Sequence, residues 1–481
     1  MKIKILNVWL VGVLTMMGAK AGANAGPMVT TLVSFFGTNG SIPLAGLIQA
    51  KDGSFYGTTS AGGTNHNPSS YGTIFKMSAV GIHTLLYSFT GTNDGIGPDA
   101  ALAEGDDGNF YGSTYQGGAT VKLIFGAFPS GGYGTLFNIG TNGVLTTLVS
   151  FNDTNSAYPS TGNALVKGYD GGIYGTTYGG NYDGGVAFRV TTNGEFSDLA
   201  MFTNRFSGAN PRSLLLGKDG NFYGITGQGG QFGLGAVFQF MTNGMLNTLV
   251  SFDGTNGWNS PNSFGPPGRN LSNMVQDQNG VIYGATYNGG QYYPNGPSLG
   301  SVFKLETNGT LSAVAYFQGT NGINPNGIVL AADGNLYGTT LTGGEHGSGT
   351  IFEIVSNSFV KTLYSFAGQG DGGNPNGLIQ GNDGNFYGTT QSGGASIYGT
   401  VFRFSLPLQP IIQKVVQTTG TITFTWNSVA GQNYQAQYST DLNSTNWNNL
   451  SSSVIATNGA MSASDSLGLD AQRYYRVALL P

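Results

Sequence analysis

The stretch DGNFYGTTQSGGASIYGTVFRF occupies residues Asp383–Phe404, and close variants of its first half occur throughout the chain. Two of these begin at Asp107 (DGNFYGSTYQGG) and Asp333 (DGNLYGTTLTGG). Successive copies are roughly 50 to 60 residues apart, a period typical of the repeated sheets, or blades, of a β-propeller. The tyrosine of the motif occurs seven times, at Tyr56, Tyr111, Tyr174, Tyr223, Tyr283, Tyr337 and Tyr387.

Each copy contains four short runs that are typical of β-strands. Asp-Gly separates the first two runs, and we expect this dipeptide to form a type I′ turn; Thr-Asn-Gly often separates the last two runs and is likewise typical of hairpins. Four antiparallel strands joined by short turns make one blade. Examples of the four runs are Gly377–Asp383, Asn385–Thr390, Gly399–Phe404 and, from another copy, Thr248–Phe252.

The two ends of the repeat array are offset by one strand. The first run, Thr31–Phe35, has the TLxSF pattern of a fourth strand, whereas the last copy ends with a third strand at Val401–Phe404. We therefore predict an all-β fold, a seven-bladed β-propeller closed by its N-terminal strand, because closure removes an exposed sheet edge. An open solenoid is the alternative, although it does not require this offset.

In the Phe-Tyr-Gly motif, phenylalanine and tyrosine point to opposite faces of their strand. Both residues are apolar enough to be buried, which indicates a sheet covered on both faces by its neighbours. A buried unpaired hydroxyl costs about 1–3 kcal/mol. Each motif tyrosine is therefore expected to have a hydrogen-bond partner.

The repeated pattern resembles two known families. Pro-x-Gly-Leu followed by Asp-Gly-Asn-Phe-Tyr-Gly is similar to NHL-type propeller blades, and the longer string DGNFYGTT…GG…YGTVF…TLxSF resembles the GloVer-type tandem repeats of bacterial "choice-of-anchor" proteins. Copy five departs at Asn279, where aspartate is expected, and copy three departs at Gly172 and Ala187. The resemblance implies a propeller exported to the cell surface or beyond, and it implies no known activity.

Composition excludes several functions. Charged residues are 9% of the 481, with a net charge of −5, so the chain lacks the clustered Lys and Arg of nucleic-acid-binding proteins. The chain has no cysteine, which excludes disulfides and thiolate chemistry. Hydrophobic residues are 39% and aromatic residues 12%, enough for a folded core despite 82 glycines.

The ends of the chain predict further segments. Residues 1–25 resemble a secretory signal peptide, with a basic start, an apolar run and small residues at Ala23 and Ala25; the alternative, an uncleaved anchor helix, needs about 20 apolar residues. After a propeller at 28–405 and a linker at 406–412, residues 413–481 resemble a small fibronectin-III-like β-sandwich. Its candidate core residues are Trp426, Tyr438, Trp447 and Tyr475.

Long, variable loops are expected on one face of the propeller, and binding sites are usually built on such loops. Trp258, Tyr292 and Tyr293 lie in the loops of copy five and are the candidate ligand-binding residues, as a stacking platform for a neutral glycan. The alternative is that these rings pack against their own loops. The insert 119–132 is either an extra local hairpin or a patch that docks a partner.

Catalytic and metal sites have little support in the sequence. The Asp-Gly aspartates are explained by turn chemistry, and Asp94, Asp99, Asp106 and Asp107 come closest to a carboxylate cluster. We therefore predict no metal and no cofactor. The three histidines, His66, His83 and His346, fall in different copies.

The sequence thus favours an exported, non-enzymatic module that binds a polysaccharide or another cell-surface component, without nucleic acid and without a membrane span after signal cleavage. One alternative is a secreted carbohydrate-active enzyme that uses Glu345, Asp371 and Asp99 at the channel mouth. Another is a purely structural surface-layer component.

Overall fold

The structure is a computed structural model. It describes residues 2–5, 28–64, 71–119, 132–152, 157–159, 165–179, 184–203, 208–255, 274–290, 299–355, 359–406, 410, 412–428, 433–441, 446–466 and 472–480. All regular secondary structure in these residues is β-strand. They contain no helix long and apolar enough to span a bilayer. The chain divides into two compact units, residues 29–404 and residues 405–481 together with 1–28.

The described part of residues 29–404 contains seven antiparallel sheets, numbered here like the sequence copies. In sheets 1 to 6 the four main strands lie side by side in chain order. Sheets 3 and 4 each begin with an additional short strand, Ala157–Pro159 and Ala209–Pro211. The main strands are Ile48–Gln49, Phe55–Thr59, Thr73–Met77 and His83–Ser88 in sheet 1; Ala103–Glu104, Phe110–Thr114, Thr135–Ile139 and Leu145–Ser150 in sheet 2; Val166–Lys167, Ile173–Gly179, Val186–Val190 and Phe196–Met201 in sheet 3; Leu215–Leu216, Phe222–Gln228, Ala236–Phe240 and Leu246–Ser251 in sheet 4; Met274–Gln276, Ile282–Thr286, Ser301–Leu305 and Leu311–Tyr316 in sheet 5; and Ile323–Leu330, Leu336–Thr342, Thr350–Val355 and Phe359–Ser365 in sheet 6.

Sheet 7 combines strands from both ends of this unit. Its first three strands are Gly373–Gln380, Phe386–Ser392 and Thr400–Ser405, and the strand Met28–Ser34 lies beside the third. Just beyond this strand, the backbone N–H of Phe35 donates to the carbonyl of Gly399 at 3.0 Å.

The hairpin turns differ from the predicted type I′ geometry. In the first turn the N–H of Gly53 donates to Ala50 O at 2.9 Å, and Gly53 has φ +79° while Asp52 does not adopt positive φ. This is a type I turn followed by a left-handed glycine, the three-residue hairpin loop. The prediction was wrong because the Asp52 carboxylate accepts the N–H of Ser54 at 2.8 Å, which holds aspartate in an Asx-turn outside the left-handed region.

Neighbouring sheets are joined by the motif aromatics. At four junctions the tyrosine of one sheet packs on the phenylalanine of the next, and at one of them Tyr387 of sheet 7 packs on Phe55 of sheet 1, with ring centroids 4.1 Å apart. Such ring pairs contribute about 0.5–1.5 kcal/mol beyond area burial. The equivalent pairs are Tyr56–Phe110 at 4.0 Å, Tyr174–Phe222 at 4.2 Å and Tyr337–Phe386 at 4.7 Å.

The motif tyrosine has the hydrogen-bond partner that the sequence led us to expect, and that partner is the turn aspartate of the same sheet. The hydroxyl donates to the aspartate four residues earlier in six sheets, at 2.7 to 3.0 Å. Among the described residues, Tyr283 of sheet 5 makes no bond of this kind, because Asn279 replaces the aspartate. The Asp-Gly motif therefore shapes the turn and also satisfies a buried phenol.

A left-handed residue precedes the proline at the start of several sheets. Gly97 has φ +66°, and five residues other than glycine have φ between 53° and 56°. Each of these five donates its N–H to a backbone carbonyl of the preceding sheet region. Asparagine tolerates this conformation, whereas it costs most other residues roughly 1–2 kcal/mol. The five are Ile42, Tyr158, Asn210, Asn324 and Asn374.

Replacing Ile42 by asparagine is expected to stabilise the protein. The amide of Asn374, at the equivalent position, donates to Leu341 O at 3.0 Å, and Ile42 is a half-exposed β-branched residue. We expect Ile42→Asn to raise the free energy of unfolding by about 1 kcal/mol, measured by urea denaturation. Ile82→Asn, at an exposed site without positive φ, is the control; equal effects in both variants would contradict the strain explanation.

The C-terminal unit contains two small sheets. One has strands Ile412–Thr418, Thr421–Asn427 and Ala460–Ser466; the other has Gln472–Leu480, Asn433–Ser439, Asn448–Asn449 and Val454–Ile455, with Lys2–Ile5 paired parallel to Gln472–Tyr475. Trp426 and Tyr475 are buried in its core, as predicted, and Tyr438 packs against that core. Trp447 instead lies half-buried under the Arg476 guanidinium, 4.3 Å from its ring centroid.

Candidate functional site

The residues predicted to bind ligand lie outside the part of the chain that the structure describes. Trp258 falls in the undescribed range 256–273, and Tyr292 and Tyr293 fall in 291–298. Most of the insert 119–132 is likewise outside, since only Ala119 and Gly132 are described. The platform in copy five and the role of the insert therefore remain predictions.

The four aspartates nearest to a carboxylate cluster serve separate purposes. Asp106 forms an ion pair with Lys167, which holds the pKa of its carboxyl below the usual range. Asp107 accepts the Tyr111 hydroxyl at 2.7 Å. Asp94 accepts the N–H and the hydroxyl of Thr90, both at 2.7 Å. In the described residues, no group of three His, Asp or Glu side chains is arranged to hold a metal ion.

Two other carboxylates proposed for the channel mouth have different surroundings. Asp371 accepts the hydroxyl of Tyr364 at 3.0 Å and a backbone N–H at 2.8 Å, so it organises its own loop. Glu345 is exposed, and its N–H donates to Ser365 Oγ at 3.2 Å. Of the histidines, His346 is exposed and His66 is not described, whereas His83 packs against Phe75 and burial lowers its pKa.

Asp99 differs from these carboxylates because it is almost completely buried, with 3% of its surface exposed. It follows Pro98 at the start of sheet 2, a position where sheets 6 and 7 have Asn326 and Asn376. Those amides donate to the proline carbonyls of the next sheet, at 2.7 and 2.8 Å. Burial raises the pKa of the Asp99 carboxyl to about 8, against the opposing effect of its own backbone N–H.

Three tyrosines pack together beside this region. Tyr115 follows the second strand of sheet 2, Tyr133 precedes its third strand, and Tyr158 lies in the segment that enters sheet 3. The Tyr158 ring centroid is 5.5 Å from that of Tyr115 and 5.4 Å from that of Tyr133. The N–H of Tyr158 donates to Tyr133 O at 2.8 Å. We call these three residues the tyrosine cluster; each is partly exposed.

The tyrosine cluster lies on one defined side of the sheets. The loops between second and third strands, and the segments that enter each sheet, emerge at the same ends of the strands; we call this side the long-loop face. Asp99 and Tyr178, which is 43% exposed, belong to the same face. The tight Asp-Gly turns lie at the opposite strand ends.

Tyr158 retains a strained backbone within this cluster. Three equivalent positions have asparagine, one has glycine and one has isoleucine, whereas Tyr158 adopts φ +54° as an aromatic residue. Strained residues persist where the surrounding structure or function requires them. Ile42 adopts the same conformation, so the strain alone assigns no role to the Tyr158 ring.

The cluster presents neutral hydroxyl groups. Burial raises the pKa of Tyr115, and the nearby groups Asp99, Tyr158 and Tyr178 raise it further. A phenol with a raised pKa stays protonated near neutral pH, and its O–H both donates and accepts hydrogen bonds. The cluster thus combines flat apolar rings with uncharged polar groups.

Among the described residues that directly follow the proline at the start of a sheet, only Arg212 of sheet 4 is cationic. Arg212 follows Pro211 as Asp99 follows Pro98. Gly227 occupies the position of Tyr115 and Tyr178, and a Cβ there would lie 2.4 Å from Arg212 Nε. Burial lowers the pKa of Arg212, and Tyr178 opposes this. The missing side chain at Gly227 therefore makes room for Arg212 at the edge of the site.

One position of the repeat differs between the copies and could have pointed to this site from the sequence alone. The residue four places after each motif tyrosine is serine, tyrosine, tyrosine, glycine, tyrosine, leucine and glutamine in copies 1 to 7. The aromatic residues at Tyr115 and Tyr178 thus occupy adjacent sheets. Alignment of the copies shows this position, but only the tertiary structure brings Tyr133 and Tyr158 to it.

The tandem antiparallel sheets and their repeated tyrosine contacts define an all-β repeat protein of the β-propeller type. The chain belongs to the Gloeobacter/Verrucomicrobia repeat family, whose model matches residues 22–161, 123–264 and 260–461. No curated protein matches the chain in sequence. The likeness to NHL blades and to a fibronectin-III domain remains a prediction.

Solved structures resemble the chain only distantly. An oxidoreductase named as a glucose dehydrogenase from Thermus thermophilus is 15% identical, over 79% of this chain and 100% of that chain, with a TM-score of 0.40. The PQQ-bound aldose sugar dehydrogenase of Streptomyces coelicolor is 14% identical, over 80% and 100%, with a TM-score of 0.38. A gluconolactonase of Xanthomonas campestris is 13% identical, over 53% and 78%, with a TM-score of 0.31. Similarity at this level carries no functional argument.

Proposed function

We propose that the chain is a closed seven-bladed propeller that binds a neutral, hydroxyl-rich polysaccharide on its long-loop face, at the tyrosine cluster. Closure is supported by contacts between sheets 7 and 1 that repeat those between other sheets. The N–H of Asn382 donates to Gln49 Oε1 at 2.8 Å, as the N–H of Ala332 donates to Gln380 Oε1 at 2.8 Å.

The observation that carries the binding proposal is the packing of Tyr115, Tyr133 and Tyr158, each of which is a partly exposed residue. An aromatic ring covers the apolar face of a pyranose, while hydroxyl groups bond the sugar hydroxyls; sites with apolar walls and a few polar groups are typical of small-ligand recognition. A polysaccharide without charge fits best because the cluster itself is uncharged near neutral pH.

The location and the second unit belong to the same proposal. We propose that the protein is exported to the cell surface or the medium, on the basis of the signal-like residues 1–25 and the low content of charged residues, 9%. In this proposal the C-terminal unit is a spacer or attachment module. Trp258, Tyr292 and Tyr293 would extend the binding surface on the long-loop face.

Removing rings of the tyrosine cluster is expected to weaken binding. We expect Tyr115→Ala and Tyr158→Ala each to reduce affinity for a neutral polysaccharide severalfold, up to about tenfold, since a stacked ring contributes roughly 0.5–1.5 kcal/mol beyond the area it buries. Affinity electrophoresis in gels containing laminarin, xyloglucan or pullulan measures this. Tyr169→Ala is the control, because Tyr169 is 75% exposed in the tight turn of sheet 3, on the opposite side.

The outcomes separate the alternatives. Binding that survives both cluster substitutions but disappears in Trp258→Ala would move the site to sheet 5. A folded wild-type chain that binds none of these polysaccharides would overturn the glycan proposal and favour a structural surface-layer role. Asp99, with its raised pKa, is the observation that favours the enzymatic alternative, and release of reducing ends from the bound polysaccharide would establish it.

A further inference from the structure

We propose that the long-loop face has a second sugar-binding site at the junction of sheets 7 and 1, and that one polysaccharide chain spans this site and the tyrosine cluster. The second site is an exposed apolar patch, here called the junction patch, formed by Phe36, Ile42, Ile397 and Tyr398. This inference rests on the proposed function. It adds that the ligand is an extended chain, so that affinity depends on chain length.

The junction patch brings together large apolar side chains from two separate segments. Their exposed fractions are 57% for Phe36, 41% for Ile42, 75% for Ile397 and 43% for Tyr398. The N–H of Ile42 donates to Tyr398 O at 2.9 Å, and the N–H of the residue before Phe36 donates to the carbonyl of the residue after Tyr398 at 3.0 Å. Contiguous exposed apolar residues mark an interaction surface.

Two residues of the junction patch adopt a backbone conformation that β-branched residues rarely have. Ile42 has φ +53° and Ile397 has φ +62°. Ile397 lies where sheets 4 and 6 have Gly233 and Gly347, at φ +75° and +74°. In all three loops this residue donates its N–H to the carbonyl three residues earlier, at 3.3 to 3.4 Å. Strain alone assigns no role, but an exposed isoleucine gains little packing to offset it, so the apolar surface itself is the feature that is retained.

A row of tyrosines leads from the junction patch to the tyrosine cluster. Tyr398 of sheet 7, Tyr71 of sheet 1 and Tyr133 of sheet 2 each precede the glycine before the third strand. Each of their carbonyls accepts an N–H from the segment that enters the next sheet, at 2.8 to 2.9 Å. The three tyrosines therefore occupy equivalent places in consecutive sheets. The other sheets have no aromatic residue at this place, but Gly184, Leu234, Leu299 and Ser348.

Tyr398 differs from Tyr71 in the packing of its ring. A Cβ at Gly91 would lie 2.5 Å from the Tyr71 ring, so this ring packs on the glycine of the adjoining loop. The equivalent glycine beside sheet 7 is Gly37, and a Cβ there would meet nothing within 4 Å. The Tyr398 ring is therefore not held against its own loop in this way, and its exposed part is available to a ligand.

The chemistry of the junction patch fits the same ligand as the tyrosine cluster. Residues 36–42 and 394–399 contain no charged residue, and Thr38 and Ser396 add hydroxyl groups beside the apolar side chains. An uncharged apolar surface bordered by hydroxyl groups matches the face and the hydroxyls of a neutral sugar. Since the whole of sheet 1 lies between the two sites, only a chain of several sugar units can contact both.

The test measures the affinity of the full chain for oligosaccharides of increasing length, by isothermal titration calorimetry. The oligosaccharides are prepared from whichever of laminarin, xyloglucan and pullulan binds. We expect the wild type to bind an oligosaccharide of about ten units at least about tenfold more tightly than a trisaccharide, because the second site adds its contacts to the same chain.

Substitutions in the junction patch are expected to affect only the long ligand. Tyr398→Ala should lower the affinity for the long oligosaccharide severalfold, up to about tenfold, and leave that for the trisaccharide within about twofold. Ile397→Gly should act in the same direction without disturbing the fold, since two equivalent loops have glycine there. Tyr158→Ala should weaken both ligands, and Tyr169→Ala, on the opposite side, should weaken neither.

The outcomes keep this inference separate from the proposed function. Equal wild-type affinity for both lengths, or unchanged binding of the long ligand by Tyr398→Ala and Ile397→Gly, overturns the second site while the tyrosine cluster stands. A wild-type dimer in analytical ultracentrifugation that both substitutions dissociate, with saccharide binding unchanged, assigns the patch to a second copy of the chain and also overturns it. A folded wild type that binds no saccharide of any length overturns the proposed function, and this inference with it.

Discussion

Asp99→Asn is expected to raise the free energy of unfolding at pH 9 by at least about 2 kcal/mol and to change it little at pH 4. Burial raises the pKa of this carboxyl from its usual range, about 4, to about 8 on folding, and each pKa unit corresponds to about 1.4 kcal/mol. The contribution of the Asp99 carboxyl to the free energy of unfolding is therefore fully present below its pKa in the unfolded chain. It is lost as the pH rises from about 4 to about 8. At pH 9 the folded wild type holds a buried charge, and Asp99→Asn removes it.

Denaturation with urea at pH 4, 7 and 9 measures this effect. Asp383→Asn is the control of opposite sign: burial alone would raise the pKa of Asp383, but hydrogen bonds from Asn385 and Tyr387 lower it. The Asp383 carboxylate stabilises the folded state above its pKa in the unfolded chain, and this contribution is lost in acid. Asp383→Asn should therefore destabilise the protein at pH 7. An Asp99→Asn variant that is no more stable than wild type at pH 9 would show that folding does not raise the pKa of the Asp99 carboxyl.

Tyr387→Ala is expected to lower the free energy of unfolding by about 3–5 kcal/mol, the range for removing a large buried aromatic side chain. Tyr387 is completely buried, packs on Phe55 across the junction of sheets 7 and 1, and donates to Asp383 at 2.8 Å. The substitution leaves a cavity at that junction and removes one of the hydrogen bonds to the Asp383 carboxylate.

Tyr56→Ala is the matched comparison, because Tyr56 makes the same contacts with Phe110 and Asp52 between sheets 1 and 2. In a closed ring the two substitutions destabilise the protein by similar amounts. In an array that is open in solution, the junction at Tyr387 is an end, and its loss would cost less than half as much as the loss of Tyr56. Thermal and urea unfolding of both variants therefore test closure.

The fold was largely predictable because its information is local and repeated. Alternation in Phe-Tyr-Gly predicts strands covered on both faces, and the structure places Phe55 and Tyr56 at 0% exposure. The turn type was not predictable from Asp-Gly alone, because the aspartate side chain competes with the backbone for the next amide. Copy five behaves as its sequence indicates. Asn279 replaces the aspartate there, and among the described residues the hydrogen bond from tyrosine to aspartate that the other sheets have is absent.

The site was only partly predictable. Asp99 was recognised as a carboxylate near the channel mouth, but its burial depends on neighbours that are far away in sequence. Tyr115 is visible as a variable position within the repeat, whereas Tyr133 and Tyr158 meet it only because a loop and an entering segment converge. Trp258, Tyr292 and Tyr293 stand as sequence-based candidates.

The sequence by itself determined seven copies and the order of the strands within each, since these depend on residues within a few positions of one another. Only the tertiary structure decided which side chains share an environment on the long-loop face. Burial and the resulting pKa of Asp99 are properties of packing between separate copies, and no local pattern encodes the removal of water from one carboxyl group.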